Sequence, residues 1–353
     1  MSRKIRVGNI YIGGGSRVTV QSMLSRRSDD LEGNVAQAVE LERAGCDIIR
    51  VAVPDIGAVR LVERLKESVG VPIVADIHFD WRLAIESANA GADKIRINPG
   101  NIGSDDRIKA VADCCREKGV PIRVGVNSGS LERELLAKYG SPTPEALTES
   151  ALRSIATLRR FDFEDIVVAI KSSSVKTMVA ACRLLSQQTD CPLHLGVTEA
   201  GGARMGLIRS AAGIGALLLD GIGDTMRVSL TAEPVLEVRA GLDILKALGM
   251  GRGATVVSCP TCGRTRIGLI PLAQRVEEAV ADVKAPLKVA VMGCAVNGPG
   301  EAREADIGIA GGDGCAVLFK KGEIIRKAPE EEIFGLLMAE IAAMEREWLL
   351  ENG

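Results

Sequence analysis

The sequence predicts an α/β chain, a TIM-type (β/α)8 barrel over residues 1–248 followed by a small α+β domain over residues 249–353. Three observations carry this prediction. From about residue 18 to residue 230, short β-branched runs alternate with amphipathic helical stretches. There are eight such units in about 230 residues, the count and size of a closed (β/α)8 barrel. An open doubly wound sheet is the competing arrangement, since it uses the same repeat. Finally, the texture changes at Leu248-Gly249-Met250-Gly251-Arg252-Gly253, which marks the domain boundary.

Taken in order, a hairpin over Val7–Val18, turning at Gly13-Gly14-Gly15, is expected to close the bottom of the barrel. The strands are expected at Val18–Met23, Ile48–Val53, Ile73–Phe79, Lys94–Pro99, Ile122–Asn127, Ile166–Ser172, Leu193–Thr198 and within Ala216–Leu230. Helical patterns lie between them, such as Val59–Val69 with Leu61, Val62, Leu65 and Val69 on one stripe. Ala44-Gly45-Cys46-Asp47, Gly70-Val71-Pro72, Ala90-Gly91-Ala92-Asp93 and Gly119-Val120-Pro121 read as helix ends handing over to a strand. Beyond the boundary come Cys-bearing loops, Gly-rich turns and a charged helix from about Glu330.

Aromatic residues make up only 3% of a chain that is 46% hydrophobic, so the core must be Val, Ile, Leu and Ala, as in buried parallel strands. A net charge of −2 suggests neither a nucleic-acid nor an anionic-membrane partner. No signal-like apolar run follows Met1–Ile5, and the longest apolar stretch, near Ala216–Leu219, is too short to span a bilayer. A cytoplasmic location is therefore expected. In that compartment nine cysteines argue for free thiols, metal ligands or redox centres over disulfides.

Side chains alternate along a strand. Arg96 and Asn98 therefore share a face, as do Arg123 and Asn127, and the apolar residues of opposite parity suit helix packing. Arg50, Asp76 with His78, Lys171, and Thr198-Glu199 occupy comparable places on other strands. Unpaired cations inside a barrel cost several kcal/mol per ion. At the C-terminal mouth they become tolerable if an anion arrives, and Arg suits phosphate oxygens. Two readings follow, a phosphate or diphosphate site and an internal ion network around Asp76 and Glu199; four cations on four strands favour the first. Of the two histidines, His78 gains weight from sharing a face with Asp76, whereas His194 simply begins a strand.

Cys259-Pro260-Thr261-Cys262 puts two thiols on one tight turn, and Cys294 follows within Met292–Glu301, among Gly and Pro that permit close backbone approach. Spacing alone leaves three readings open: an iron–sulfur cluster on three thiolates, a structural zinc site with Cys315 as fourth ligand, or a thioredoxin-like pair. Cys46, Cys114, Cys115, Cys182 and Cys191 are expected to be buried or incidental.

Several blocks together resemble one family. They are Val20-Gln21-Ser22-Met23, the run Ala44–Pro54, Lys94-Ile95-Arg96-Ile97-Asn98-Pro99-Gly100, Gly196-Val197-Thr198-Glu199-Ala200-Gly201, Ser258-Cys259-Pro260-Thr261-Cys262-Gly263-Arg264, and Met292–Glu301. The family is that of the 4-hydroxy-3-methylbut-2-enyl diphosphate synthases, in the short two-domain bacterial form, and the resemblance covers nearly the whole chain. It implies reductive ring opening of 2-C-methyl-D-erythritol 2,4-cyclodiphosphate in the methylerythritol phosphate route to isoprenoids. It implies a 4Fe–4S cluster held by Cys259, Cys262, Cys294 and Glu301, with Cys315 free, and electrons from flavodoxin or ferredoxin. It also implies a homodimer in which the cluster domain of one subunit caps the barrel of the other.

By the same resemblance Arg50, Arg96, Asn98, Arg123, Asn127 and Lys171 bind substrate, with Asp76, His78, Thr198, Glu199, Arg227 and Ser229 in supporting places. Glu301, a hard and exchangeable ligand, or Glu199 supplies a proton. The chain departs from the family pattern at Leu24-Ser25-Arg26-Arg27-Ser28-Asp29, which is unusually basic, and at Gly202-Ala203-Arg204. Both are loops at the expected active end. The rival reading from another class is a non-redox barrel that binds a phosphorylated metabolite and carries a zinc-ribbon appendage.

Overall fold

The computed structural model describes residues 1–294 and 304–352, which fall into two compact units, Met1–Leu248 and Gly249–Gly353. Unit one begins with β1 (Ile5–Val7) and β2 (Ile10–Ile12), an antiparallel pair. Eight parallel strands follow: β3 (Thr19–Met23), β4 (Ile48–Ala52), β5 (Ile73–Asp76), β6 (Lys94–Ile97), β7 (Ile122–Asn127), β8 (Ile166–Lys171), β9 (His194–Leu195) and β10 (Thr225–Met226). Their order is β8-β7-β6-β5-β4-β3-β10-β9, and an isolated parallel bridge from Val168 to Leu193 links the two ends. This is the barrel the sequence predicts.

Local chemistry sets the element ends. The helix Leu31–Arg43 starts where Asp30 accepts the Gly33 N–H at 3.0 Å. The helix Val59–Ser68 buries Val59, Leu61, Val62 and Leu65, the stripe expected of it. β6 stops at Ile97 rather than Pro99, because Pro99 has no N–H for the ladder and Asn98 caps the short helix Pro99–Ile102. β9 is only two residues long, since its backbone departs from the ladder at Gly196. A Cβ there would lie 2.7 Å from the Arg227 carbonyl oxygen.

The hairpin differs from expectation. It turns at Gly8-Asn9, with Val7 opposite Ile10, and Gly8 has φ +58°. Gly13, Gly14 and Gly15 instead lead the chain into β3. The earlier turn lets Ile5, Val7 and Ile12 bury together against Ile48, Val74 and Val167, the inward residues at the amino-terminal ends of β4, β5 and β8. The hairpin thus plugs the barrel floor. A larger apolar layer lies between the strands and the surrounding helices.

Unit two is a five-stranded sheet in the order β11 (Thr255–Ser258), β12 (Lys288–Met292), β13 (Ile307–Gly312), β14 (Cys315–Lys320) and β15 (Glu323–Ala328). The first three strands are parallel and the last two antiparallel. The helix Glu330–Asn352 buries Ile333, Leu337 and Ile341, spaced to share one face, in this unit's own core. No helix among the described residues is long and apolar enough to cross a membrane.

Candidate active site

Strand parity decides what fills the barrel above its plug. The inward set includes Arg50 on β4, Asp76 on β5, Arg96 on β6, Arg123, Gly125 and Asn127 on β7, and Ala169 and Lys171 on β8. The backbone past β9 and β10 adds Thr198, Arg227 and Ser229. All of these except Asp76 line one pocket at the carboxyl ends of the strands. Eight of the sequence-derived substrate residues thus meet there: Arg50, Arg96, Arg123, Asn127, Lys171, Thr198, Arg227 and Ser229.

Two small residues make room for the long ones. A Cβ at Gly125 would lie 3.1 Å from the Arg96 guanidinium, and one at Gly196 would lie 3.0 Å from the Lys171 Nζ. A Cβ at either place would crowd the cation, and at Gly196 it would also press on the Arg227 carbonyl.

Asp76, 1% exposed, lies behind the ring as a brace. Its two oxygens meet Arg50 at 3.2 Å and Arg96 at 3.0 Å. Burial alone would raise its pKa, but Arg50, Arg96 and Arg123 together hold the carboxyl below its ordinary value. Glu237, on the helix Pro234–Ala247, does the same for Arg227 at 3.1 Å and also accepts the Leu230 N–H at 3.0 Å. Five cations therefore line a pocket braced by two buried carboxylates. Burial, then Arg50 and Arg96, pushes the Arg123 pKa well down, and its Nε and Nη1 have no partner among the described residues. Burial, then Arg227 and Arg123, does the same to Lys171. The internal ion network exists, but it leaves positive charge over.

The other sequence-derived residues stand apart from this lining. The Asn98 side chain accepts the Gly100 N–H at 3.1 Å and is engaged as a helix cap. His78 is half exposed, its Nε2 3.8 Å from Asp76. Glu199 is exposed, with a left-handed backbone at φ +52°, a conformation that clusters at functional sites. Glu301 lies outside the described residues. Lys94, Gly125, Ala169, Gly196 and Glu237 were not singled out from the sequence. Parity marks Lys94, Gly125 and Ala169 as inward, whereas no strand pattern points to Glu237.

In unit two, β11 and β12 run parallel, with Ser258 opposite Val291, so Cys259 and the Gly293-Cys294 pair emerge at the same end of the sheet. The Gly293 N–H donates to Cys259 Sγ at 3.2 Å, and the Arg266 N–H donates to the Gly293 carbonyl at 2.9 Å. The Thr265 Oγ1 accepts the Cys262 N–H at 3.2 Å. Cys262 is exposed, and hydrogen bonds at Arg264, backbone first and then side chain, lower its pKa. The Arg264 guanidinium is favoured first by its bond to Cys262, then by charge interactions reaching Cys262, Cys294 and Cys259. Cys259, Cys262 and Cys294 are all unbridged.

Among the described residues no three His, Cys, Asp or Glu side chains are placed to hold a single ion. An iron–sulfur cube asks something different, since its thiolates sit on separate corners and accept N–H bonds at sulfur. Cys259, Cys262 and Cys294 are the residues that could hold such a cube, and Cys259 already accepts an N–H bond at sulfur. Cys46, Cys115 and Cys182 do not fit it: burial pushes them up to about 12.

Comparison with known proteins gives two family matches, to the GcpE TIM-barrel domain over residues 2–242 and to the GcpE protein C-terminal domain over residues 255–343. A Clostridium perfringens protein named 4-hydroxy-3-methylbut-2-en-1-yl diphosphate synthase (flavodoxin) is 56% identical over 333 residues, covering 94% of this chain and 95% of its own. A protein of the same name from Caldanaerobacter subterraneus subsp. tengcongensis is 55% identical over 348 residues, covering 98% of both chains. Among solved structures, dihydropteroate synthase from Stenotrophomonas maltophilia matches 70% of this chain and 97% of its own. Its TM-score is 0.52 at 15% identity, a likeness of the barrel fold alone.

Proposed function

The chain belongs to the GcpE family of 4-hydroxy-3-methylbut-2-enyl diphosphate synthases, and from that membership we propose how its residues divide the work. The activity is the reductive ring opening of 2-C-methyl-D-erythritol 2,4-cyclodiphosphate to (E)-4-hydroxy-3-methylbut-2-enyl diphosphate, in the methylerythritol phosphate route to isoprenoids. Two electrons enter, a proton is consumed and water leaves.

The observation that carries the assignment of the pocket is its surplus of positive charge: five cations line it against two buried carboxylates. A diphosphate supplies the missing anion. Arg50, Arg96, Arg123, Lys171 and Arg227 bind the phosphoryl oxygens, and Asp76 and Glu237 fix three of the guanidiniums in advance. Asn127, Thr198 and Ser229 complete the hydrogen bonds. Asn98, His78 and Asp76 serve as supporting residues around this ring. Burial of these groups away from bulk water strengthens each of these contacts.

Cys259, Cys262, Cys294 and Glu301 hold a 4Fe–4S cluster. When bound, that group supplies electrons singly to the substrate carbon skeleton. Arg264 stabilises the thiolate charge beside it. Glu199 and Glu301 are the proton donors for the departing hydroxyl, and the left-handed backbone of Glu199 supports a positioned role for it. The electrons come from a small carrier, flavodoxin by the names of the relatives, with ferredoxin as the other candidate donor. The working form is a cytoplasmic homodimer in which the cluster unit of one subunit covers the partner's barrel mouth. Ile56 and Phe79, large apolar residues exposed at the ends of the β4 and β5 loops, suit such a cover.

The test is an iron and acid-labile sulfide assay on anaerobically purified protein, together with turnover of the cyclodiphosphate by reduced flavodoxin. About four iron per chain and product formation are expected. Colourless protein with a single zinc and no turnover would restore the zinc-ribbon reading.

A further inference from the structure

Beneath the cationic ring the barrel holds a second polar layer to which the proposed function gives no task. Lys94 opens β6 on the same inward face as Arg96. Its neighbour in register on β5 is Val74, one of the residues that meet the hairpin plug. The ammonium therefore sits between an apolar floor and a ring of guanidiniums. It is fully buried and has no hydrogen-bond partner among the described residues. His194 opens β9 and is also fully buried, its Nδ1 3.3 Å from the Thr225 Oγ1. Among the described residues its Nε2, the Thr19 hydroxyl and both Gln21 amide atoms on β3 have no partner. Register places Thr225 between Thr19 and His194.

The charged groups facing this layer are Arg50 from β4, Asp76 from β5, Arg96 from β6, Arg123 from β7, Lys171 from β8 and Arg227 just past β10, with Glu237 behind the last. Positive charge dominates. An unpaired buried ammonium is costly, and cationic neighbours raise that cost. Burial first, then Arg123 and Arg50, push Lys94 down to about 7. Burial, then Arg123, Lys171 and Lys94, push His194 well below its ordinary value. An anion seated on the ring cancels the repulsive part of both effects.

We propose that Lys94, with His194 also buried in the barrel below the ring, is a proton-uptake site, neutral in the free enzyme and protonated when the anionic substrate settles on the guanidinium ring above it. This inference rests on the reading of the pocket as a cyclodiphosphate site. Lys94 is here a positioning residue: its charge, gained on binding, answers the second negative charge of the substrate from below. In a cyclic diphosphate each phosphorus carries one strongly acidic oxygen. Phosphate monoesters, by contrast, titrate near pH 6. A proton exchanged near neutral pH therefore belongs to the protein. Linkage then requires affinity to fall up to about ten-fold per pH unit above the free-enzyme value.

The experiment is calorimetric titration of the cluster-loaded enzyme with the cyclodiphosphate at pH 8, in Tris and in HEPES at matched chloride. The binding heat should differ between buffers in proportion to their ionisation enthalpies, with uptake approaching about one proton per site. Lys94→Met should still bind but lose at least half of that uptake. The wild-type measurement stands even if the variant folds poorly. Binding with buffer-independent heat would overturn the proposal, as would unchanged uptake in Lys94→Met. Heat independent of buffer with affinity falling as chloride rises would also overturn it, since the layer would then hold an anion rather than lose a proton. No binding heat at all would reject the pocket reading itself, and the proposal with it.

Discussion

Asp76→Asn tests whether one buried carboxylate organises the cationic ring. The substitution keeps volume and removes only charge, so packing losses are small. Asp76 is 1% exposed and holds Arg50 at 3.2 Å and Arg96 at 3.0 Å. Removing one partner from a buried ion pair costs about 3–5 kcal/mol, because the remaining charge stays buried. For a barrel of this size each kcal/mol moves Tm by about 2–4 °C, so a fall of roughly 10 °C is expected at pH 7.5. The folded-state pKa of Asp76 is depressed, so its stabilisation is complete above the unfolded value near 4 and is lost as pH falls through the folded value. The gap between variant and wild type should therefore be constant from pH 6 to 8 and close in strong acid. Circular dichroism melts at both ends of that range provide the measurement. Asp29→Asn, which disturbs only the exposed pair with Arg27, is the control and should not move Tm. A shift below about 2 °C for Asp76→Asn would refute the view that this carboxylate holds the ring.

Further expectations concern single side chains. Arg123→Met should weaken cyclodiphosphate binding by at least about ten-fold, the worth of one charged hydrogen bond, while leaving Tm equal or higher, because a buried unpaired cation is lost; calorimetry and melting together check both halves. Arg264→Leu should slow iodoacetamide alkylation of Cys262 at pH 7 in metal-free protein, because the second of the two Arg264 hydrogen bonds that lower its pKa, the side chain's, is gone while the backbone's remains; an unchanged rate would remove the Arg264 side chain from that role. Glu301→Ala should cut turnover by about a hundred-fold or more with Tm within a few degrees of wild type, and near-normal kcat would take Glu301 out of the mechanism.

Much of the barrel was legible because two periodicities are hard to counterfeit. A parity of two on β6 and β7 separated Arg96 and Arg123 from the apolar residues facing the helices, and Gly or Pro marked the helix-to-strand handovers. What parity cannot tell is what an inward polar residue does once there. Asn98 has the right parity and turns back to cap a helix, for which the Asn98-Pro99 pair was the available sign. Lys94 has the same parity, but lies one layer deeper than the pocket. Glu237 reaches Arg227 from a helix, where no alternation betrays it. The hairpin was misjudged by its glycines: three in a row at Gly13–Gly15 outweighed Gly8-Asn9, although only the earlier turn lets Ile5, Val7 and Ile12 bury together. For the cysteines, spacing brought Cys259 and Cys262 to one turn, but only the parallel pairing of β11 with β12 brings Cys294 to the same sheet end. The resemblance added Glu301, which no spacing argument could supply.

With Ile5, Val7 and Ile12 stoppered against Ile48, Val74 and Val167, apolar side chains close the amino-terminal end of the barrel, and the cationic pocket lies at the opposite end. On the proposed reading a seated diphosphate covers Lys94 from above, so the proton must arrive before the ligand or with it.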